Sequence, residues 1–75
     1  MKELVEVIAK SLVDNPEEVV VTQKADGRNI MIELHVAPSD MGKVIGKQGR
    51  IAKAIRAVVK AASTRENLKV DVEIV

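Results

Sequence analysis

The sequence predicts a two-layer α+β domain in which three helices cover one face of a mixed three-stranded sheet. Apolar residues recur at helical spacing near the start of the chain and again in its middle. Residues 30–36 and 68–74 instead alternate apolar and polar side chains, as strands with one buried face do. The 75 residues, 47 % of them hydrophobic, fit one small folded domain covering residues 1–75.

The first elements are a helix and a hairpin. One helical face carries Leu4, Val5, Ile8, Leu12 and Val13. The Asp-Asn-Pro sequence at residues 14–16 ends this helix. Residues 19–22 form a β-branched strand, and Asp26-Gly27 within residues 25–28 predicts the tight turn that leads into the alternating strand.

The second half contains two helices and the last strand. Residues 38–40 (Pro-Ser-Asp) are read as a stop followed by a helix N-cap. A short helix is expected over residues 41–45 and a long one over residues 50–62, before the strand at 68–74. The order is α-β-β-α-α-β, with the first two strands antiparallel and the second and third joined by a parallel crossover.

The charge distribution is strongly asymmetric. Residues 41–65 contain seven Lys or Arg and no acid, whereas residues 1–40 contain four basic and eight acidic residues. The chain as a whole is only +1. A local positive field of this kind is typical of a surface that binds nucleic-acid phosphates.

Composition excludes several classes of protein. The chain has no Cys, which removes disulfides and thiolate metal sites and fits a cytoplasmic location. Its apolar runs are too short to span a membrane, and its start does not resemble a signal peptide. His35 is the only histidine and is expected to be an exposed strand residue. We therefore expect no catalytic site, no metal and no cofactor.

The long helix has a basic sector and an unusually wide apolar sector. Arg50, Lys53, Arg56 and Lys60 fall within about 120° of the helix circumference. The apolar residues cover roughly 220°, more than one core-facing stripe requires. Small residues border the basic sector, namely Ala54, Ala57 and Ala61. Such a surface suits a flat ligand or a closely packed partner helix.

Gly46-Lys47-Gln48-Gly49 joins the two helical segments. Glycine at both ends allows a sharp turn and leaves no Cβ to obstruct a ligand. The long helix begins at this loop, so its positive dipole end favours an anion there, and Lys47 and Arg50 add formal charge. These features predict a clamp for a phosphate backbone.

The stretch Val-Ile-Gly-Lys-Gln-Gly-Arg-Ile at residues 44–51 resembles the I-G-x-x-G-x-x-I core of KH domains, which bind single-stranded RNA and DNA. The order of elements resembles the type II, prokaryotic KH fold over nearly the whole chain. The resemblance implies an RNA chaperone or post-transcriptional regulator in which the loop holds the RNA backbone and about four bases lie in an adjacent groove.

The same resemblance implies a set of site residues and partners. Ile45 and Ile51 would form the apolar floor of the groove, and the last strand near Val70 and Val72 its far wall. The complete predicted RNA-binding set is Lys43, Ile45, Gly46, Lys47, Gln48, Gly49, Arg50, Ile51 and Lys53. Small stand-alone bacterial members of the family self-associate and pair with a larger KH-containing protein, so a homodimer and hetero-association are both expected.

Two other classes of function remain open from the residues alone. A helix-turn-helix-like DNA-binding protein would also place two helices around a glycine-containing turn, although Ile51 and Ala52 occupy positions where base readers belong. A protein–protein interaction module would make the basic face incidental. A P-loop is excluded because only three residues separate Gly42 from Gly46, and Gln48 replaces the Mg²⁺-binding Ser or Thr.

Overall fold

The computed structural model describes residues 1–75, apart from the side chain of Lys47. Its two layers are a sheet and a set of helices packed on one face of that sheet. The elements in chain order are α1 (Lys2–Leu12), a 3₁₀ turn (Pro16–Glu18), β1 (Val20–Asp26), β2 (Asn29–His35), α2 (Pro38–Arg65) and β3 (Lys69–Ile74).

The three strands form one sheet in the order β1-β2-β3. β1 and β2 are antiparallel, with Val21 opposite Leu34, and the turn between them consists of Gly27 and Arg28. Gly27 has a φ of 62°, as the first central residue of a type II′ turn requires. β2 and β3 are parallel, with Ile32 opposite Val72. The predicted mixed sheet and its crossover are confirmed.

The hydrophobic core lies between this sheet and the helices. Val5 and Ala9 of α1 and Val44, Ile55 and Val59 of α2 are buried on it. From the sheet come Val21, Ile32, Leu34 and Val72. On the opposite face of the sheet, the strand residues that alternate with these four are exposed or half-buried. The predicted two-layer arrangement is therefore confirmed.

α2 is assigned as one continuous helix, but its backbone is interrupted and forms two helices. Gln48 and Gly49 have φ values of 63° and 67°. A right-handed helix needs φ near −63°, so two successive left-handed residues interrupt its path. The stretches at residues 38–47 and 50–65 are therefore separate helices, as the predicted α-β-β-α-α-β order requires. Both are longer than the sequence indicates.

The predicted N-cap at Ser39 or Asp40 is wrong. Ala37 is the N-cap residue of α2 and makes no side-chain cap, while Pro38 occupies the first helical turn. Proline suits this position because its missing N–H has no helical partner there. β1 also extends further than expected, through Asp26, and shortens the predicted turn to two residues.

Asp40 fastens the segment after α1 to the start of α2. It is 1 % exposed, and its carboxylate accepts backbone N–H groups of Asp14 at 3.1 Å and Asn15 at 3.0 Å. The side-chain amide of Asn15 also donates to this carboxylate, at 3.2 Å. Burial raises the pKa of Asp40, but these hydrogen bonds and the nearby Lys43 ammonium outweigh it and hold the pKa below its ordinary value.

Candidate functional site

The loop at residues 46–49, here called the GXXG loop, lies where the two helices of α2 meet. Its last two residues, Gln48 and Gly49, carry the left-handed backbone. Glycine adopts this conformation without strain, whereas Gln48 does so at a cost of about 1–2 kcal/mol. Strained residues of this kind persist where the surrounding structure holds them, and they concentrate at functional sites.

Gly46, at the other end of the loop, does not have a positive φ. A Cβ built on Gly46 would meet no described atom within 4 Å. Neither the backbone conformation nor the packing of the described residues therefore requires glycine at this position. What glycine provides at Gly46 is an unobstructed backbone at the protein surface.

A small open cleft, the loop cleft, lies directly beside the GXXG loop and has a volume of about 390 Å³. Its walls come from both helices of α2 and from the end of β3. The lining residues are Ile45, Gln48, Gly49, Ala52, Lys53, Arg56 and Ile74. Two of these are cationic and none is acidic, so the cleft combines an apolar floor with a positive rim.

A larger open cleft, the strand cleft, lies between the second helix of α2 and β3 and has a volume of about 720 Å³. Its lining includes Arg56, Val59, Lys60, Ser63, Thr64 and residues 68–73. Val70 and Val72, the residues expected to form the far wall of the groove, line this cleft. The two clefts follow the same helix and the same strand.

β3 directs part of its backbone N–H and C=O groups away from the sheet, along these clefts. The N–H groups of Lys69 and Val75 point toward β2 and donate to the carbonyls of Arg28, just before β2, and Leu34, within it. Because backbone groups alternate direction along a strand, those of Val70, Val72 and Ile74 point away from β2. β3 is an edge strand, so these groups meet α2 and solvent rather than another strand.

Arg56 lies where the two clefts meet and lines both of them. Its Nε and Nη2 donate to the Val72 carbonyl at 3.4 Å and 3.3 Å. This contact spans the groove from α2 to the edge of β3 and occupies one of the outward carbonyls. Arg56 is absent from the site expected from sequence, although its place in the basic sector with Lys53 and Lys60 was a usable signal.

The residues of the predicted site fall into distinct positions. Ile45, Gln48, Gly49 and Lys53 line the loop cleft. Gly46 is half-buried and Arg50 is exposed. Ile51 packs against the hydrophobic core instead of lining either cleft, and the adjacent Ala52 takes that place. The Lys43 ammonium lies 3.1 Å from the exposed Asp14 carboxylate. The side chain of Lys47 lies outside the described part of the chain.

The described residues show neither a metal-binding cluster nor a membrane-spanning helix. None of their His, Asp and Glu side chains group in threes or more as a metal site would require. His35 is exposed on β2, as expected from its place in the alternating strand. Among the helices the structure describes, none has both the length and the apolar character needed to cross a membrane.

Comparison with known proteins gives a family match over almost the entire chain. The family model described as "KhpA/KhpB, KH domain" matches residues 2–74. The chain is 68 % identical to RNA-binding protein KhpA of Clostridium perfringens over 75 residues, which is the full length of both chains. It is 64 % identical to RNA-binding protein KhpA of Clostridium acetobutylicum, again over the full length of both. No solved structure matches the chain.

Proposed function

The chain belongs to the KhpA/KhpB KH-domain family, and from this premise we propose that it binds single-stranded RNA and catalyses no reaction. In this proposal, residues 1–75 form a single KH domain that acts in the cytoplasm as an RNA chaperone or post-transcriptional regulator. The observation that carries the proposal is the acid-free loop cleft beside the GXXG loop. The names of the relatives, which describe RNA-binding proteins and not enzymes, support it.

The GXXG loop would hold the sugar–phosphate backbone. Gly46 and Gly49 place bare backbone at the surface, and the second helix of α2 begins at the loop, so its positive dipole end favours an anion. Lys47 and Arg50 bring formal charge to the same point of the sequence. These contacts recognise phosphate and not bases, so they position a strand without selecting its sequence.

The bases would enter the groove formed by the two clefts. Ile45 and Ala52 supply an apolar floor at the loop end. The outward N–H and C=O groups of β3 offer hydrogen bonds to the Watson–Crick edges of bases, which are accessible only when a base is unpaired. A groove that meets base edges in this way fits single strands better than a duplex.

The geometry disfavours a helix-turn-helix function. A recognition helix presents its first residues to the DNA major groove. At the start of the second helix, Ile51 packs against the core and Ala52 offers only a methyl group, so neither side chain can hydrogen-bond a base edge. A pure interaction module is the remaining alternative, and it predicts no affinity for nucleic acid.

Comparison of nucleic-acid classes tests the proposal directly. We expect single-stranded RNA to bind more tightly than duplex RNA or duplex DNA of the same length, in filter binding at one salt concentration. Preferential binding of duplex DNA would favour the helix-turn-helix alternative. Binding of none of the three would favour the interaction module and overturn the proposal.

Gly46→Ala should weaken RNA binding without destabilising the fold. The added methyl group meets no described atom within 4 Å, and alanine favours helix by up to about 1 kcal/mol. The same methyl would separate the backbone from a phosphate, so we expect affinity to fall at least about threefold. Gly42→Ala is the matched control, because Gly42 is also helical and unobstructed but lies one turn before the GXXG loop, outside the proposed phosphate contact. Equal RNA affinities of the two variants would contradict the phosphate contact at Gly46.

The salt dependence of binding should be shallow. A groove of about four nucleotides engages roughly three phosphates, each contributing about −0.7 to the slope of log affinity against log salt on a single strand. We therefore expect a slope near −2, measured by fluorescence anisotropy on a short RNA. A slope steeper than about −5 would mean that the basic surface engages far more of the backbone than the groove holds.

A second surface on α2 supports self-association. Ala54, Val58 and Ala61 are exposed and follow helical spacing, next to but distinct from the row of Lys53, Arg56 and Lys60. Val58 is 42 % exposed. A dimer formed through this row leaves both grooves open, and two linked grooves raise RNA affinity by about 10²–10⁴-fold without new contacts. Hetero-association with a larger KH-containing protein would use an overlapping surface.

The chain is therefore expected to form a homodimer at micromolar concentration. Analytical ultracentrifugation at about 100 µM should detect a species of twice the 8.1 kDa chain mass. Val58→Glu should shift it to monomer, since the substitution places a charge in the apolar row, while Lys60→Glu on the groove side should not. A single species near 8 kDa for the unmodified chain would refute self-association.

A further inference from the structure

We propose that Arg56 selects the base at one position of the bound RNA and favours guanine or cytosine over adenine or uracil. This inference rests on the proposed function and specifies what the groove distinguishes. It concerns a residue outside the GXXG loop, on the second helix of α2.

Arg56 lies where an RNA strand bound in the groove would contact it. It lines both the loop cleft and the strand cleft. An RNA strand that starts at the GXXG loop and follows β3 therefore passes its guanidinium. The chain contains no Phe, Tyr or Trp, so none of these side chains provides a stacking platform that competes with hydrogen bonding as a source of base selection.

The guanidinium is already oriented by the protein. Its Nε and Nη2 both donate to the Val72 carbonyl, at 3.4 Å and 3.3 Å, which uses two of the five N–H donors of an arginine. Three donors remain, two on Nη1 and one on Nη2, and one from each nitrogen together form the end-on fork of the group. Within the described residues, the ion pairs are Lys10–Glu6 and Lys43–Asp14. No described carboxylate therefore forms an ion pair with the Arg56 guanidinium.

An arginine fork is complementary to two adjacent hydrogen-bond acceptors. Guanine offers such a pair at O6 and N7. Cytosine offers one at O2 and N3 on its Watson–Crick edge. Adenine and uracil place a donor beside each acceptor on these edges, so they satisfy only half of the fork. Unpaired RNA bases expose both kinds of edge to a protein.

The neighbouring cations lack this selectivity. Lys53 lines the loop cleft and Lys60 the strand cleft, but an ammonium is a rotatable point charge without a fixed pair of donors. Arg50 carries a guanidinium but is not among the lining residues of either cleft. Arg56 thus combines a fixed fork with a place inside the groove.

The test uses four uridine oligomers of about eight nucleotides, one unsubstituted and three with a single central G, C or A. Because the groove holds about four nucleotides, an oligomer of this length can bind in a register that places its central base at Arg56. For the unmodified protein we expect the G and C oligomers to bind at least about fivefold more tightly than the A and all-U oligomers. Arg56→Lys keeps the charge and removes the fork. It should bring all four affinities within about twofold of one another.

Lys60→Ala is the matched control, because it removes a cation from the strand cleft and should weaken all four oligomers alike while keeping their order. Equal affinities of the unmodified protein for all four oligomers, with binding retained, would overturn the role of Arg56 and leave the proposed function intact. A preference that persists in Arg56→Lys would likewise overturn it. Failure of the unmodified protein to bind any oligomer would overturn both.

Discussion

Replacing Lys47 and Gln48 together by aspartate is expected to lower RNA affinity at least tenfold, equivalent to about 1.4 kcal/mol, while folding changes little. The change turns one positive and one neutral residue of the GXXG loop into two negative ones. Gln48 lines the loop cleft and is exposed, so its replacement leaves the core intact. Two carboxylates at the proposed phosphate contact repel the RNA backbone directly.

The chain provides a composition-matched control for this experiment. Gln23 and Lys24 are adjacent and exposed on β1, at the far edge of the sheet from β3. Replacing these two residues by aspartate changes net charge and residue types identically to the loop variant. We expect the control to retain most of the affinity in anisotropy titrations. Unchanged affinity of a folded loop variant would end the clamp hypothesis, and equal losses in both variants would mean that net charge alone drives binding.

Most of the fold follows from local patterns in the sequence. Ile32 and Leu34 alternate with polar neighbours and are fully buried, because the period of a strand places them on one face. The Asp26-Gly27 signal locates the hairpin, since glycine supplies the positive φ of its turn. Leu12 shows the limit of such patterns: it follows the helical spacing but is 39 % exposed, since it lies in the last turn of α1, where the spacing no longer tracks the core.

One part of the candidate site can be predicted from neighbouring residues in the sequence, and the other part depends on contacts between distant residues. The GXXG loop is contiguous in sequence, so its glycines and charges are visible without a structure. The groove is not, because its second wall comes from β3, and the contact from Arg56 to Val72 joins residues that are 16 positions apart. Ile51 and Ala52 are adjacent apolar residues, and only the rotation of the helix against the sheet decides that Ala52 lines the cleft. The role of Asp40 is long-range in the same way.

Asp40→Asn is expected to destabilise the fold by about 2–3 kcal/mol, measured by urea denaturation at neutral pH. The Asp40 carboxylate is buried and accepts three N–H groups from Asp14 and Asn15. An asparagine amide replaces one acceptor oxygen with a donor, which leaves buried N–H groups unpaired or opposed. This contact joins the segment after α1 to the first helix of α2, which carries Ile45 and Gly46 into the site.

The pH dependence identifies the carboxylate as the source of this stability. Since the pKa of Asp40 is lower in the folded protein, the folded state binds fewer protons, and the stabilisation is fully present well above the ordinary pKa of 3.8. The stabilisation is lost as pH falls through the lowered pKa of the folded protein. The difference in the free energy of unfolding between the unmodified protein and Asp40→Asn should therefore shrink below about pH 4. Asp14→Asn is the control, because that carboxylate is 76 % exposed and its ion pair is with the exposed Lys43, which predicts a loss of at most about 1 kcal/mol in the free energy of unfolding. Equal stabilities of the unmodified protein and Asp40→Asn at neutral pH would show that the backbone of residues 14 and 15 is held by other contacts.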